Sequence, residues 1–443
     1  MQNDLISRSA FARFLVWVAF ILFLSACSPL AATQPVGNGS LPLPGQTVLP
    51  IIETAGVATG TATASPTPEN IPDLSGETIS VPALCDQSSI LASGNAGRVM
   101  ALEDAADTIN ANGGIFGAEV DLQVIDTKGS PDEARQALAR TIRELGEGPL
   151  ILICDPHTEA ALRETLNEQE IPVLGPGDFA ERSGFVFGVD ATPQQHLGFF
   201  IEDLIANWNE RKPAGAGNEI RLALISWPPE FSGPLTSEEF LTDLADLGIQ
   251  IVYQAELPAE LNANVFDLIY SLRDANANVI YTNTRGFGLA ALLNALQQLG
   301  LRQRYVVGAP APAYDTQFFE YLVDPVNAEG LYLTSTWAWW SEAENPGIQL
   351  AGELGAGEGM NDWGYIQMAG AAALAQHALE DAILEVGHAA LSPEAVTGAL
   401  TSLEDYPVMS GVFIVDYSGG NRSLDGLHTW VVGAAPGEIE VSE

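Results

Sequence analysis

From residue 76 onward, signals for β-strands and α-helices alternate along the chain with unusual regularity. Short apolar runs such as 78–84 and 120–125 are each followed by segments whose apolar residues recur every three to four positions. Repeated strand–helix–strand crossovers demand mainly parallel sheets that are covered by helices on both faces. The alternation therefore predicts an α/β fold.

Helix boundaries support this prediction at the level of single residues. The first helix ends at Asn112-Gly113-Gly114, where a glycine can adopt the left-handed conformation beyond a helix C-terminus. The second helix begins at Ser130-Pro131-Asp132-Glu133, a capping box with proline at the first helical position. Comparable caps at Thr192-Pro193, Thr236-Ser237 and Ser392-Pro393 mark later helices.

The strands fall into two series that are separated near Val189. The spacing predicts a first series at 78–84, 120–125, 150–153, 171–174 and 185–189, and a second at 220–226, 249–255, 278–283 and 305–308. Two series favour two flavodoxin-like, doubly wound lobes rather than one very large sheet.

The remaining segments contain too few elements for a third lobe, so we expect them to complete the first two. They comprise a strand at 330–335, a loop with Trp337, Trp339 and Trp340, a long helix at about 361–387, and a shorter helix after Ser392. Val412–Tyr417 and Leu427–Val432, separated by Gly419-Gly420-Asn421, are predicted to form a terminal hairpin.

The N-terminal residues predict export. Arg8 and Arg13 precede an apolar run at 14–26 that is too short to span a bilayer comfortably, which is typical of a signal peptide. The run ends in Leu-Ser-Ala-Cys at Cys27, which resembles the bacterial lipobox whose cysteine is lipidated. A plain signal peptide or short membrane anchor with a chance cysteine is the alternative. Residues 28–75, rich in Pro, Thr, Ala, Ser and Gly, are predicted to form an unstructured stalk.

Composition excludes several classes of protein. With 47% hydrophobic and 17% charged residues, the chain is neither disordered nor collagen-like. Seventeen Lys and Arg against 57 Asp and Glu give a net charge of −40, so nucleic acid is a poor partner. We expect a membrane contact only through the lipid anchor on Cys27, and an extracytoplasmic location.

Two cysteines remain once Cys27 is set aside, an even pair for an oxidising compartment. Cys85 and Cys154 each end a predicted strand of the first series. If these strands are parallel neighbours, as the first and third strands are in flavodoxin-like sheets, the two thiols can form a disulfide. Two free buried thiols are the alternative.

The segment from Gly94 to Asp126 resembles the leucine/isoleucine/valine-binding family of type I periplasmic binding proteins. Its Ile109–Gly117 stretch, INANGGIFG, with Asp126 after the next strand, matches the family pattern "IN-x-x-GGI-x-G … D". Further matches are Ile171-Pro172-Val173, Phe187 and Gly364-Tyr365, so the similarity covers roughly residues 76–432.

The resemblance implies two lobes joined by a three-segment hinge with a ligand cleft between them. The chain would cross between lobes near residues 190, 337 and 411. The lobes would then be 76–190 with 338–411, and 191–337 with 412–433, followed by an acidic tail at 434–443. In such a protein the two lobes bend about the hinge and close over a small molecule.

The loops after the strands contain the candidate ligand-binding residues: Asp155, His157, Thr158, Gly175, Gly177 and Asp178 in the first lobe, and Trp227, Phe231, Arg285 and Trp337 in the second. The resemblance implies that the 155–158 loop binds a ligand carboxylate, that 175–178 offers backbone groups, and that Trp227 and Phe231 stack on the ligand.

Each candidate has a purely structural alternative. Thr158 is a natural N-cap, the glycines suit an ordinary turn, and the aromatic residues suit rim packing. Arg285 can pair with an anionic ligand in a bidentate way or with a nearby acid of the protein. Trp337 walls the cleft, or the tryptophan loop is a hydrophobic lid or a patch for a partner.

The pattern departs from the family at one position. Amino-acid binders of the family have an acidic residue after the strand that corresponds to 305–308, and it holds the ligand ammonium. This chain has Ala309 and Pro310 there, and the nearest acid is Asp315. The identity of the ligand is therefore left open.

The leading hypothesis is a lipid-anchored, monomeric solute-binding protein that delivers a small molecule, an amino acid or a related carboxylate or amide, to an ABC permease. The alternatives are a ligand sensor for a signalling partner and a structural lipoprotein without ligand. An extracellular enzyme is disfavoured, since the sequence has no Gly-x-Ser-x-Gly, His-Glu-x-x-His or P-loop motif. No two of the five histidines have metal-ligand spacing, and we expect no cofactor and no metal.

Overall fold

The computed structural model describes residues 71–145, 149–181, 184–261, 263–355, 362–424, 426–433 and 439–441. The predicted signal peptide, the lipidation site Cys27 and the stalk as far as residue 70 lie outside these ranges. Within them, no helix combines the length and the apolar character needed to cross a membrane.

The first lobe is built on a five-stranded, fully parallel sheet with the order β2-β1-β3-β4-β5. Its elements are β1 (Thr78–Cys85), α1 (Ala96–Ala111), β2 (Glu119–Asp126), α2 (Pro131–Leu145), β3 (Ile151–Ile153), α3 (Pro156–Glu168), β4 (Val173–Gly175) and β5 (Val186–Gly188).

The second lobe continues with alternating helices and strands: α4 (Pro193–Arg211), β6 (Arg221–Ser226), α5 (Pro229–Ser232), α6 (Glu238–Asp246), β7 (Gln250–Glu256), α7 (Val265–Asp274), β8 (Val279–Thr282), α8 (Phe287–Gln298), β9 (Val306–Pro310), α9 (Thr316–Tyr321) and β10 (Leu331–Ser335). Strands β10, β9, β8, β6 and β7 pair in this order and are parallel. The two doubly wound lobes predicted from the sequence are therefore confirmed.

The last segments return to both lobes: α10 (Pro346–Leu354), α11 (Trp363–Val386), α12 (Pro393–Thr401), β11 (Tyr406–Val408), β12 (Phe413–Val415), β13 (His428–Val432) and β14 (Ile439–Val441). Strand β13 joins the second sheet antiparallel to β10, and β14 pairs antiparallel with β13. Residues 439–441 thus add an edge strand to the second sheet, which corrects the prediction of an acidic tail over all of 434–443. The alternation Ile-Glu-Val suits such a strand, and Ile439 is buried.

The predicted hairpin between Val412–Tyr417 and Leu427–Val432 is wrong. Phe413–Val415 pairs instead with Tyr406–Val408, so the hairpin involves the strand that precedes it. This segment stays with the first lobe, because the Tyr417 hydroxyl donates to the carbonyl of Gly188 at 2.8 Å. The Gly188 amide in turn donates to the carbonyl of Arg422 at 2.8 Å. The third crossing therefore follows Arg422 and does not lie near residue 411.

Successive side chains of each strand point to opposite faces of the sheet, so each strand contributes apolar residues to the core on both faces. In β1, Val81 belongs to the cluster under α1 and α11, whereas Leu84 belongs to the cluster with α2 and α3. In β6, Leu222 and Leu224 pack with α4, while Ala223 packs on the opposite face with α7 and α8. Burial on both faces is what a parallel sheet between two helical layers requires.

Candidate functional site

The carboxyl ends of the two sheets meet at a small cavity between the lobes. Its lining comes from both lobes: Leu91, Gly94, Asn95, Arg98, Asp155, Pro156 and His157 from the first, and Trp227, Phe231, Arg285, Asp315 and Gln317 from the second. Its position agrees with the general rule that open parallel sheets bind ligands beyond the carboxyl ends of their strands. The cavity has a volume of about 30 Å³, which is small compared with the roughly 300–1,000 Å³ of typical ligand pockets.

On the first lobe, a disulfide joins the ends of two neighbouring strands. Strands β1 and β3 pair in parallel, and Cys85 and Cys154 are bonded with their Cα atoms 4.9 Å apart. The next residue after each cysteine is an aspartate, and the Asp86 amide donates to Asp155 Oδ2 at 3.0 Å. The disulfide thereby holds two carboxylates side by side at the edge of the cavity.

These two carboxylates enclose His157. Its Nε2 lies 3.1 Å from Asp155 Oδ1 and 3.4 Å from Asp86 Oδ2. Burial lowers the pKa of His157, but the charges of Asp155 and Asp86 outweigh it, and the net pKa is raised. The ring also reaches the opposite lobe, since its centroid is 6.2 Å from that of Phe231.

Arg98 is buried in the first turn of α1. Its Nε donates to Gln367 Oε1 at 3.1 Å, and its Nη1 donates to the carbonyl of Gly94 at 2.8 Å and to Asn95 Oδ1 at 3.2 Å. Its Nη2 has no hydrogen-bond partner. Burial, followed by the charge of Arg285, lowers the pKa of Arg98.

Arg285 extends from the loop after β8 and forms an ion pair across the cleft with Asp178 of the first lobe. The contact uses Nη2 alone, and the buried Nε and Nη1 have no hydrogen-bond partner. Arg285 therefore links the lobes and still presents donors that nothing in the described structure accepts.

The wall contributed by the second lobe combines aromatic and polar groups. Trp227 packs on Phe287 with ring centroids 5.1 Å apart. Asp315 is the N-cap of α9, where its Oδ1 accepts from the Phe318 amide at 2.8 Å. Gln317 donates to the carbonyl of Ile90 on the first lobe at 2.5 Å.

Two carboxyl groups near the cavity have strongly raised pKa values. Burial, together with the charge of Asp362, raises the pKa of Asp315 to about 7. Burial, together with Asp178, raises the pKa of Glu159 to about 8, although its oxygens accept from the Gly177 and Phe179 amides. A raised pKa in a cleft is typical of a functional site.

The sequence of the chain matches the model of a periplasmic binding protein family over residues 78–423. The chain belongs to this family. The resemblance to the leucine/isoleucine/valine-binding type I proteins, stated above from the motif at 109–126, is thus confirmed, and the family is one of binding proteins rather than enzymes.

Solved structures of similar proteins share the fold. A branched-chain amino acid ABC transporter protein from Thermus thermophilus with bound valine has a TM-score of 0.70 and 18% identity, and covers 84% of this chain and 96% of its own. A substrate-binding protein of an ABC transporter from Aeropyrum pernix has a TM-score of 0.66 and 17% identity, with coverages of 82% and 94%.

A third similar structure is LivJ, the branched-chain amino acid transporter substrate-binding protein from Streptococcus pneumoniae, in complex with isoleucine. It has a TM-score of 0.62 and 13% identity, and covers 83% of this chain and 99% of its own. No curated protein matches the sequence significantly.

Of the sequence-predicted site residues of this periplasmic binding protein, Asp155, His157, Trp227, Phe231 and Arg285 line the cavity. Asp178 contacts it indirectly through Arg285. These side chains come from both lobes and from loops far apart in sequence, as expected when the carboxyl ends of parallel strands are brought together.

The other candidates have internal partners. Asp155, not Thr158, is the N-cap of α3, and the Thr158 hydroxyl is 3.0 Å from that of Thr127. The Gly177 amide donates to Glu159 at 2.9 Å. Its φ of 84° and the close approach of Gly188, whose Cα lies 2.6 Å from where a Cβ would stand, require glycine there. Gly175 lies within β4.

Trp337 is fully buried and does not line the cavity. Its indole Nε1 donates to the carbonyl of Val189 at 2.8 Å, so it joins two of the hinge crossings. Trp339 stacks on Trp363 with centroids 4.1 Å apart. Burial of Trp337 and Trp339 argues against the interpretation of this loop as an exposed hydrophobic lid or partner patch.

Sequence reasoning missed Arg98, Asn95 and Gln317 as cavity residues. An arginine in an amphipathic helix normally indicates the solvated side, so Arg98 gave no sign of being buried. Its position in the sequence could have identified Arg98 as a cavity residue, because it lies in the first turn of the helix that follows β1, at the carboxyl edge of the sheet. Among the described residues, no cluster of His, Cys, Asp and Glu could hold a metal ion.

Proposed function

We propose that this periplasmic binding protein captures a small solute, an amino acid or a related carboxylate or amide, in the interlobe cleft and delivers it to an ABC importer. The single observation that carries the proposal is the cavity between the lobes, into which both lobes bring buried charged side chains. Family membership supports the binding role, and the solved relatives that carry valine and isoleucine support the class of ligand.

The hinge supplies the mechanism. Three chain crossings connect the lobes, so the lobes can rotate apart and admit a solute that the closed cavity is too small to receive. The solute must bind the closed form more tightly than the open form, because only differential affinity shifts the equilibrium. Contacts from both lobes, such as those of His157 and Arg285, exist together only in the closed form and meet that requirement.

Asp315 bears on the choice of ligand. Ala309 and Pro310 occupy the position where the amino-acid binders of the family carry an acid, yet Asp315 lines the cavity from the loop after the same strand. A ligand ammonium beside Asp315 would favour its ionised form and restore the missing counter-charge. The departure from the family pattern is therefore compatible with an amino acid.

The location of the protein completes the proposal. The lipobox-like sequence at Cys27 would anchor the chain outside the cytoplasmic membrane, and the stalk over residues 28–75 would carry the two lobes to a permease in the same membrane. Metabolic labelling with a radioactive fatty acid tests the anchor, because Cys27→Ser would abolish incorporation into a lipidated protein.

Thermal-shift screening of the purified protein against amino acids, short peptides, amides and carboxylates tests the capture of a solute. A specific ligand at a hundredfold excess over its Kd stabilises by about 2.7 kcal/mol. Trp227→Ala should reduce the shift, whereas the exposed Arg135→Gln should preserve it. If no compound in a broad library moved the melting temperature, the proposed function would be refuted.

A further inference from the structure

Unpartnered charged donors are concentrated in the cleft. Among the described residues, every buried guanidinium or imidazole nitrogen without a hydrogen-bond partner belongs to Arg98, His157 or Arg285, and all three line the cavity. These residues are 2%, 7% and 9% exposed, respectively. His157 has two carboxylates within ion-pair distance, whereas Nη2 of Arg98 and both Nε and Nη1 of Arg285 have no hydrogen-bond partner.

The two arginines come from opposite lobes. Arg98 belongs to α1 of the first lobe, and Arg285 follows β8 of the second. Closing the cleft brings their like charges to one cavity, which is unfavourable, and leaves charged donors without acceptors, which adds a desolvation cost. An anion between the two arginines would reduce their repulsion and accept hydrogen bonds from the free donors. Both contacts would exist together only in the closed form.

The surroundings restrict the charge and shape of that anion. Asp155 and Asp315 line the same cavity and Asp178 pairs with Arg285, so a group with two negative charges would meet strong repulsion. A carboxylate has a single charge and accepts several N–H donors at two oxygens in one plane, which matches the guanidinium group.

We propose that Arg98 and Arg285 form a two-lobe clamp for one carboxylate group of the solute. This inference rests on the proposed function and extends it to the group that is recognised. The clamp makes closure depend on the ligand carboxylate, since neither lobe alone provides both arginines.

Sodium acetate, with acetamide as its neutral counterpart of similar shape, is the probe. Melting temperatures of the full-length protein are compared at equal ionic strength in acetate, in sulfate, and in chloride with or without acetamide. Acetate should stabilise the protein more than chloride, acetamide or sulfate does. Equal effects of acetate and acetamide, or stabilisation by sulfate but not by acetate, would overturn the carboxylate clamp.

Variants locate the effect. Arg285→Gln and Arg98→Gln should each weaken acetate binding by about tenfold, the loss expected for one charge-assisted contact. Arg285→Lys keeps a positive charge that can pair with Asp178, so this variant tests the clamp if the glutamine variants fold poorly. We expect the lysine variant to lose part of the stabilisation by acetate. Arg135→Gln, an exposed arginine on α2, should respond like the wild type. An unchanged acetate response in Arg285→Lys and Arg285→Gln would refute the assignment.

The outcomes separate this inference from the function. If the broad library yields a ligand whose affinity is the same with and without its carboxylate and is insensitive to both arginine variants, the clamp is refuted and solute capture stands. If neither acetate nor any library compound stabilises the protein, both proposals fail.

Discussion

The hinge and the cleft each contain a cluster of buried polar side chains, but they differ in how completely those groups are satisfied. In the hinge, His196 Nδ1 lies 2.9 Å from the Thr334 hydroxyl, and its Nε2 lies 3.2 Å from Asp190 Oδ1. The same oxygen of Asp190 accepts from the Thr336 hydroxyl at 2.9 Å and from the Ala191 amide at 2.8 Å. In the cleft, Arg98 and Arg285 retain donors without partners.

This difference distinguishes buried polar groups that stabilise the protein itself from buried polar groups that are available to a ligand. Buried polar groups normally find partners within the protein, and those of the hinge do. Buried charged donors without partners carry a cost that is removed when a ligand supplies acceptors. The hinge cluster therefore stabilises the free protein, whereas the cleft cluster stabilises the complex.

The largest expected effect concerns the covalent support of the cleft. Replacing both Cys85 and Cys154 by alanine opens a loop with a sequence separation of 69 residues and should lower the free energy of unfolding by about 4 kcal/mol. Urea unfolding of the oxidised wild type and of the double variant measures the difference. A loss below about 1 kcal/mol would mean that the paired strands hold Asp86 and Asp155 in place without the bond.

A matched pair of substitutions compares the two clusters directly. Asp190→Ala in the hinge leaves His196 and Thr336 without their shared acceptor and should cost about 3 kcal/mol of unfolding free energy. Asp178→Ala in the cleft leaves Arg285 unpaired, but separation of the lobes can return Arg285 to water, so the loss should be about 1 kcal/mol or less. Equal losses in urea unfolding would contradict the distinction between hinge and cleft.

The last effect is a difference in pH dependence, which is spread over several pH units and is small over any one of them. Because the pKa of Asp315 is about 7 in the folded protein and about 3.9 in an unfolded chain, the folded state binds its proton more tightly. The resulting stability is fully present below pH 4 and is lost as the pH rises through 7, by up to about 1.4 kcal/mol per pH unit. Asp315→Asn keeps the N-cap and should remove this decline.

Unfolding in urea at pH 5, 6, 7 and 8 checks the prediction. The difference in stability between the wild type and Asp315→Asn should shift in favour of the variant from pH 5 to 7 and level off between pH 7 and 8. Asp132→Asn, at an exposed acid in the first turn of α2, serves as the control and should run parallel to the wild type. Parallel curves for Asp315→Asn as well would show that Asp315 is ionised throughout.

Local patterns sufficed to predict the strands, the helices and the two-lobe fold, because those elements depend on apolar periodicity and caps that lie within a few residues. The capping box at Thr192, for instance, forms with Gln195 as its partner. Strand partners depend on distant residues, so the pairing of Phe413–Val415 with Tyr406–Val408 was missed.

The cleft was only partly predictable for the same reason. Position after a strand pointed to Asp155, His157 and Arg285, but the partner of Arg285 is Asp178, 107 residues away. Arg98 was overlooked because its hydrogen-bond partner Gln367 lies on α11, 269 residues further along the chain. Only the tertiary structure of the two lobes shows which donors have no hydrogen-bond partner.

The hydrogen bond from the Trp337 indole to the Val189 carbonyl links the second connection between the lobes to the first. The hydrogen bond from the Gly188 amide to the Arg422 carbonyl links the first connection to the segment just before the third. Three linkers joined in this way cannot flex separately. We therefore expect the lobes to open in one concerted movement, so that the two rims of the cleft separate together rather than one side at a time.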